Sequence, residues 1–270
     1  MILVNGAASE MLPATDRGLA YGDGVFRTLR VRGGQPQVWQ FHYRKLERDC
    51  AALAIPCPGE KSLRDELTIA ARQQPECVGK VIVTRGSGAR GYAAAGVVQP
   101  TRIVMSLPLP ADHARFRSSG IRARICTLRV SAQPALAGIK HLNRLENVLA
   151  RREWDDPDIA EGILLDSDGN VIGGTMTNIF IAEKDALTTP DLRLSGVAGV
   201  TRERIFTRAA ESGIACRVED ISPKRLLKSD EAFVVNSVIG VWQIRALADK
   251  SWHSGTITEC VRRWLDEESD

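Results

Sequence analysis

Ala137-Gly138-Ile139-Lys140-His141-Leu142-Asn143-Arg144-Leu145-Glu146-Asn147-Val148-Leu149-Ala150 sets a single lysine at the joint between a loop and an amphipathic segment. The loop upstream carries Pro134, Ala135 and Gly138, and the apolar spacing downstream predicts a helix over Leu142–Glu153. A lysine delivered to a packed junction points to chemistry. Once its ammonium is desolvated, the amine can act as a nucleophile, a Schiff-base former and a proton shuttle.

Working outward, the chain has 270 residues, 44% of them apolar, enough for one large domain or two modest ones. Its formal net charge of +3 is too balanced, and its basic residues too scattered, for a nucleic-acid-binding protein. Arg122, Arg124 and Arg129 alternate along an apolar run and read as the wet face of a strand. Cys50, Cys57, Cys77, Cys126, Cys216 and Cys260 show no C-x-x-C spacing and the four histidines are isolated, so no metal is expected. The segment Met1–Gly6 has no basic leader, and no apolar run approaches the ~18–20 residues of a membrane helix. A reduced, cytoplasmic enzyme is the expectation.

The N-terminal part reads as β-β-α-α-β-β. Val25–Val31 alternates around Phe26, Thr28 and Arg30; Phe41–Leu53 has helical spacing and stops at Ile55-Pro56. Ser62–Arg72 is a second helix, with Ser62 as N-cap and Glu66 near the capping-box position. Lys80–Thr84 and Arg102–Leu107 are short β-branched strands. Pro108 and Pro110 mark a linker. The expected division is a small α/β domain over 1–107, a linker over 108–120, and a larger domain over 121–270 that carries the lysine. In that larger part Ile121–Thr127, Glu161–Leu165, Asn178–Ala182 and Ala232–Val235 read as strands, and Asp168-Gly169 as a hairpin turn. Thr201–Glu211 and Thr256–Asp266 read as helices, the first closed by Gly213.

Two glycine-rich segments stand out. Gly86-Ser87-Gly88-Ala89-Arg90-Gly91 matches G-x-G-x-x-G, but Tyr92–Gly96 then runs into Gln99-Pro100, so no βαβ unit follows and a dinucleotide reading fails. Arg85 and Arg90 flank those glycines and could clamp a carboxylate; a solvent-exposed turn is the equal alternative. Ser195-Gly196-Val197-Ala198-Gly199-Val200-Thr201-Arg202 leads two glycines straight into a helix, where free N–H groups and the helix dipole favour a phosphate. Thr201 as an ordinary N-cap is the alternative. Ser237, after the strand Ala232–Val235, could add a hydroxyl to the same anion. Tyr21-Gly22-Asp23-Gly24 is a turn feeding a strand, and Asp23 could simply close an Asx-turn.

A reactive lysine, a phosphate cup and a carboxylate-clamping arginine suggest pyridoxal 5'-phosphate. The order of Tyr21–Gly24, Arg85–Tyr92, Lys140–Glu146, Gly174-Thr175-Met176-Thr177-Asn178 and Gly196–Thr201 spans nearly the whole chain and resembles the fold-type IV PLP enzymes. The Arg85–Tyr92 loop and Ile139–Glu146 are similar, within that class, to the aminodeoxychorismate lyases. The resemblance implies an α/β protein of two domains, the larger a strand-rich pseudo-barrel, with the cofactor between them, acting as a homodimer. It implies a lyase that converts 4-amino-4-deoxychorismate to 4-aminobenzoate and pyruvate, a step toward folate. It implies that Lys140 carries the cofactor aldehyde and shuttles protons, with Thr28 near the reacting carbons. Val200, Thr201 and Ser237 would hold the phosphate, Asn143 would bond near the ring, Arg85 and Arg90 would take the substrate carboxylates, and Tyr21 would line the pocket. The alternatives are a D-amino-acid or branched-chain aminotransferase of the same fold, and a non-catalytic PLP-binding paralogue.

Two positions depart from the pattern. Where these enzymes carry a phosphate-binding arginine, His42-Tyr43-Arg44-Lys45-Leu46 places Lys45, which keeps the charge without the bidentate fork. Where they carry a glutamate that pairs with the pyridine nitrogen, Val171-Ile172-Gly173-Gly174-Thr175 places Gly173. A ring nitrogen without an anionic partner makes a weaker electron sink. Reversible transamination should suffer from this more than an elimination driven by forming an aromatic ring.

Overall fold

The computed structural model describes residues 1–94 and 99–267, so the end of the Tyr92–Gly96 stretch lies outside the described residues. The chain divides into two compact units. Of the described residues, the first comprises 1–94, 99–110 and 139–143, and the second 111–138 and 144–267.

The first unit contains β1 (Ile2–Val4), β2 (Ala7–Ala8), α1 (Arg17–Tyr21), β3 (Gly24–Arg32), β4 (Gln35–Pro36), α2 (Trp39–Ala52), α3 (Glu60–Ala71), β5 (Cys77–Thr84) and β6 (Thr101–Leu107). Its six-stranded sheet runs β2-β1-β6-β5-β3-β4, with antiparallel pairing between neighbours. The period of two along β3 sorts its faces. Val25, Leu29 and Val31 turn inward and share a core with Trp39, Leu46, Cys50, Leu63 and Leu67 of the two helices, or, for Val31, with Ala71 and Cys77. Phe26, Thr28 and Arg30 occupy the opposite, half-buried face. The expected strands and helices of this unit are present, with one local difference. Helix α3 begins at Glu60 behind Gly59, which offers no side-chain cap, so Ser62 lies inside its first turn, and Glu66 accepts from Arg102 Nε at 2.7 Å.

The second unit contains α4 (His113–Ser119), β7 (Ile121–Val130), α5 (Leu145–Arg151), β8 (Ile159–Asp166), β9 (Val171–Gly174), β10 (Asn178–Glu183), β11 (Ala186–Pro190), α6 (Val200–Glu211), β12 (Cys216–Glu219), α7 (Pro223–Lys228), β13 (Glu231–Asn236), β14 (Gly240–Leu247), β15 (Lys250–Ser251) and α8 (Thr256–Glu267). Its nine-stranded sheet runs β12-β11-β10-β13-β14-β7-β8-β9, with β15 on β14. Pairing is parallel at β11–β12, β14–β7 and β7–β8. One core gathers Ile121, Ile163, Ile179, Ile181, Val234 and Ile244; another packs Phe180 and Phe233 against Ile205 of α6 and Trp264 of α8. This is the expected α/β architecture with a larger, strand-rich second unit.

Two boundaries differ from the sequence reading. Part of the expected linker is the helix α4. The lysine segment, expected in the larger domain, clusters with the first unit. The reason is backbone pairing: Phe26 N–H donates to Lys140 O at 3.0 Å and Leu142 N–H to Gly24 O at 2.9 Å, around a bridge between Val25 and His141. Residues 140–142 are therefore extended along β3, and the helix expected from Leu142 starts at Leu145.

Candidate functional site

Lys140 is fastened at both ends of its own peptide. Its carbonyl takes the Phe26 N–H, and its N–H donates to Asp49 Oδ2 at 3.2 Å. The preceding Ile139 is an anchor, 6% exposed in the core of the first unit. The Lys140 amine lies 4.4 Å from the centre of the Phe26 ring. Thr28 is two residues on, at the same parity of β3, so sequence and structure agree in putting it on the Phe26 face. Lys80, paired in register with Thr28, brings a second ammonium to the Phe26 ring at 5.5 Å. Nothing in the sequence pattern singled out Lys80.

Behind this segment lies a buried charge set. Arg27 sits at an inward position of β3, among Val25, Leu29 and Val31. It pairs with Asp49 Oδ2, and Lys45 of α2 pairs with Asp49 Oδ1 one helical turn away. Burial pushes the pKa values of Arg27 and Lys45 down, and the Asp49 charge offsets part of that shift. Lys45, expected at the cofactor phosphate, thus has Asp49 among its partners. The sequence signal for this set was available in Arg27 at a core parity and Asp49 four residues after Lys45.

The loop after β5 is tied down by Arg17. Its guanidinium donates to Gly91 O at 2.8 Å and Tyr92 O at 3.1 Å, while the Tyr21 hydroxyl accepts the Gly91 N–H at 3.1 Å. Arg17 and Arg85 both donate Nε–H to Asp23 Oδ2, at 2.9 and 2.7 Å. Burial alone would raise the Asp23 pKa, but the hydrogen bonds and charges of Arg85 and Arg17 hold it below the ordinary range. Asp23 is therefore an ion-pair hub in place of an Asx-turn residue. Arg85 also donates to Ala54 O at 2.8 Å and Leu53 O at 2.6 Å, which leaves it one N–H on each terminal nitrogen. Arg90 is exposed on the loop. Gly22 closes α1 with φ +66°, and Asn143 donates Nδ2–H to its carbonyl at 3.4 Å.

In the second unit, α6, whose start the sequence reading takes as an anion site, begins without a side-chain cap, so no side chain of its N-cap occupies its first N–H groups. Thr201, only 2% exposed, has its Oγ1 3.2 Å from Ser237 Oγ. Ser195 Oγ is buried with no hydrogen-bond partner among the described residues. Asn178, missed by the sequence reading, organises this loop: its Nδ2–H donates to Val197 O at 2.8 Å and its Oδ1 accepts Gly199 N–H at 3.1 Å. These features fit a phosphate-bearing group.

Gly173 lies on β9, opposite Leu164 of β8. A β-carbon there would come 2.8 Å from Thr177 O. Glu161, also on β8, is wholly buried. Its two oxygens accept from Gly162 N, Thr175 N, Thr175 Oγ1, Met176 N and Thr177 Oγ1 at 2.5 to 3.3 Å. Burial drives its pKa up and these hydrogen bonds pull part of the way back, leaving it above the usual carboxylate range. A carboxyl so fully engaged by the 174–177 turn has no lone pair left to replace the glutamate missing at 173.

Residues 24–247 match the amino-transferase class IV family, and the chain belongs to it. It is 34% identical over 248 residues to an aminodeoxychorismate lyase of Vibrio harveyi, covering 92% of each chain. It is 29% identical over 254 residues to a putative branched-chain-amino-acid aminotransferase of Methanocaldococcus jannaschii, covering 92% of this chain and 87% of the relative. The solved structure of a 4-amino-4-deoxychorismate lyase from Pseudomonas aeruginosa superposes with a TM-score of 0.94 at 42% identity, covering 99% of this chain and 98% of that one.

Proposed function

We propose that this protein is a pyridoxal 5'-phosphate-dependent lyase that converts 4-amino-4-deoxychorismate to 4-aminobenzoate and pyruvate. The observation that carries the reading is Lys140, its peptide fastened to Phe26 and Asp49 and its amine over the Phe26 ring, in a chain similar to two lyases over nearly its whole length. When bound, the cofactor supplies an electron sink for the carbon bearing the substrate amine. Lys140 binds its aldehyde. Val200, Thr201 and Ser237 hold its phosphate, joined by the ammonium of Lys45, which also pairs with Asp49. Asn143 bonds near the ring.

The chain's own residues then divide the work. The Lys140 amine, once free, takes the proton from the amine-bearing carbon; Lys140 or Thr28 returns a proton as enolpyruvate leaves. Arg85, with its two remaining N–H groups, and the exposed Arg90 take the two substrate carboxylates, and Tyr21 lines the pocket. The exposed Leu145, Val148 and Leu149 on one side of α5 support a homodimer. Among the described residues no helix is long and apolar enough to cross a membrane, which accords with a cytoplasmic enzyme in folate synthesis.

The test is pyruvate release from 4-amino-4-deoxychorismate with no 2-oxo acid added. Lys140→Ala should lower it by about 10²–10⁴-fold. A strict requirement for a 2-oxo-acid co-substrate would instead favour an aminotransferase, the activity named for the archaeal relative.

A further inference from the structure

We infer that Asp49 is the positioning residue for Lys140, oriented by its ion pairs with Arg27 and Lys45. The inference rests on the cofactor reading only for its catalytic consequence; its structural content stands on the first unit alone. Three observations converge. Asp49 is 2% exposed, Arg27 2% and Lys45 7%, so the set is built into the core of the unit and is no surface ion pair. The two cations approach different oxygens of Asp49, Arg27 at Oδ2 and Lys45 at Oδ1, which fixes the plane of the carboxylate. The same Oδ2 also accepts the Lys140 N–H at 3.2 Å.

Burying three charges is costly, and apolar residues of similar volume would stabilise the same interior as well or better. A set retained at that cost specifies a geometry. Here the geometry is the register of residues 139–142 along the start of β3. The Phe26 N–H holds the Lys140 carbonyl and Gly24 O holds the Leu142 N–H, but neither fixes the Lys140 N–H. Without Asp49 that N–H loses this acceptor, and the peptide that carries the amine is held less firmly. Asp49 touches neither substrate nor cofactor in this scheme; it acts through the lysine.

The double variant Arg27→Met/Asp49→Leu removes one cation and one anion, leaves the net charge of the set unchanged and keeps Lys45 available. Asp49→Asn keeps an acceptor oxygen for the Lys140 N–H and serves as the conservative variant, informative even if the double variant fails to fold. The first measurement is amide hydrogen exchange of the peptide spanning 139–142 in the cofactor-free protein. The double variant should exchange there at least tenfold faster, with the rest of the first unit unchanged, and Asp49→Asn should be intermediate. The second is labelling of Lys140 by pyridoxal 5'-phosphate and borohydride, followed by steady-state kinetics. The double variant should label more slowly and lose about tenfold in kcat with KM within twofold, and Asp49→Asn should recover part of kcat. Wild-type exchange at 139–142 in a folded double variant overturns the inference, as does wild-type exchange in Asp49→Leu measured alone should the double variant not fold. Failure of the wild-type protein to label at Lys140 overturns the cofactor reading instead, and the exchange result still decides the role of Asp49.

Discussion

Asn178 clasps Gly199 so closely that a β-carbon on residue 199 would collide with Asn178 Oδ1, the atom that accepts the Gly199 N–H. The same amide holds Val197 O, so one side chain at the start of β10 sets both sides of the loop that enters α6. Gly199→Ala should break this clasp. Two hydrogen bonds at about 1 kcal/mol each give a loss of about 2 kcal/mol at the anion site, or roughly 30-fold in affinity for pyridoxal 5'-phosphate. Titration of the cofactor-free variant by absorbance checks this, and unchanged affinity would remove Asn178 from the account of the phosphate loop.

Glu161 carries a pH signature. Its pKa in the fold lies above the ordinary glutamate value, so the native state holds the proton more firmly than the unfolded chain. The stability contribution is fully present below the unfolded pKa and is lost as pH rises through the folded one. Glu161→Gln removes that slope, because an amide does not titrate in this range. It also sets an NH2 group against the donors of the 174–177 turn, costing about 1–3 kcal/mol. The wild-type advantage in Tm should therefore be largest near pH 4 and shrink as pH rises. A gap that is constant with pH would contradict this.

The sequence was most legible where periodicity is strong. The alternation of Val25–Val31, the helical spacing of Phe41–Leu53 and the Asp168-Gly169 turn all correspond to observed elements, β3, α2 and the β8–β9 hairpin. It was least legible where long-range contacts override local pattern. Leu142–Asn143 have helical neighbours, yet pairing with Gly24–Phe26 extends the segment and delays α5 to Leu145. The organising side chains were hidden for a related reason. Asn178 and Glu161 are ordinary polar residues in sequence, and only their distant partners give them a role.

Arg17 should matter to the loop that carries Arg90. Its guanidinium donates to the carbonyls of Gly91 and Tyr92 and makes one of the two ion pairs at Asp23. Arg17→Met keeps the apolar stem and removes those bonds. The expected result is a KM for the substrate raised about tenfold, since a loop must now be ordered on binding, with kcat changed less than threefold. Equal losses in kcat and kcat/KM would instead place Arg17 at the transition state.

Gly173 is the position at which reaction type should be decided. Neither Gly173 nor the fully engaged Glu161 offers a carboxylate to a ring nitrogen, so the protein as it stands should release pyruvate while its transamination of amino acids is negligible. Gly173→Glu should raise transamination by at least tenfold. It should also cost stability, because the new β-carbon would come 2.8 Å from the backbone oxygen of Thr177, too close for any real contact, so the 174–177 turn has to shift. A loss of about 1–3 kcal/mol is expected for that overpacking. The two effects are separable: amino-group transfer to a 2-oxo acid is followed spectrophotometrically, and the melting temperature by calorimetry. Robust transamination in the unaltered protein would show that the ring nitrogen has another partner and that Gly173 does not select the elimination.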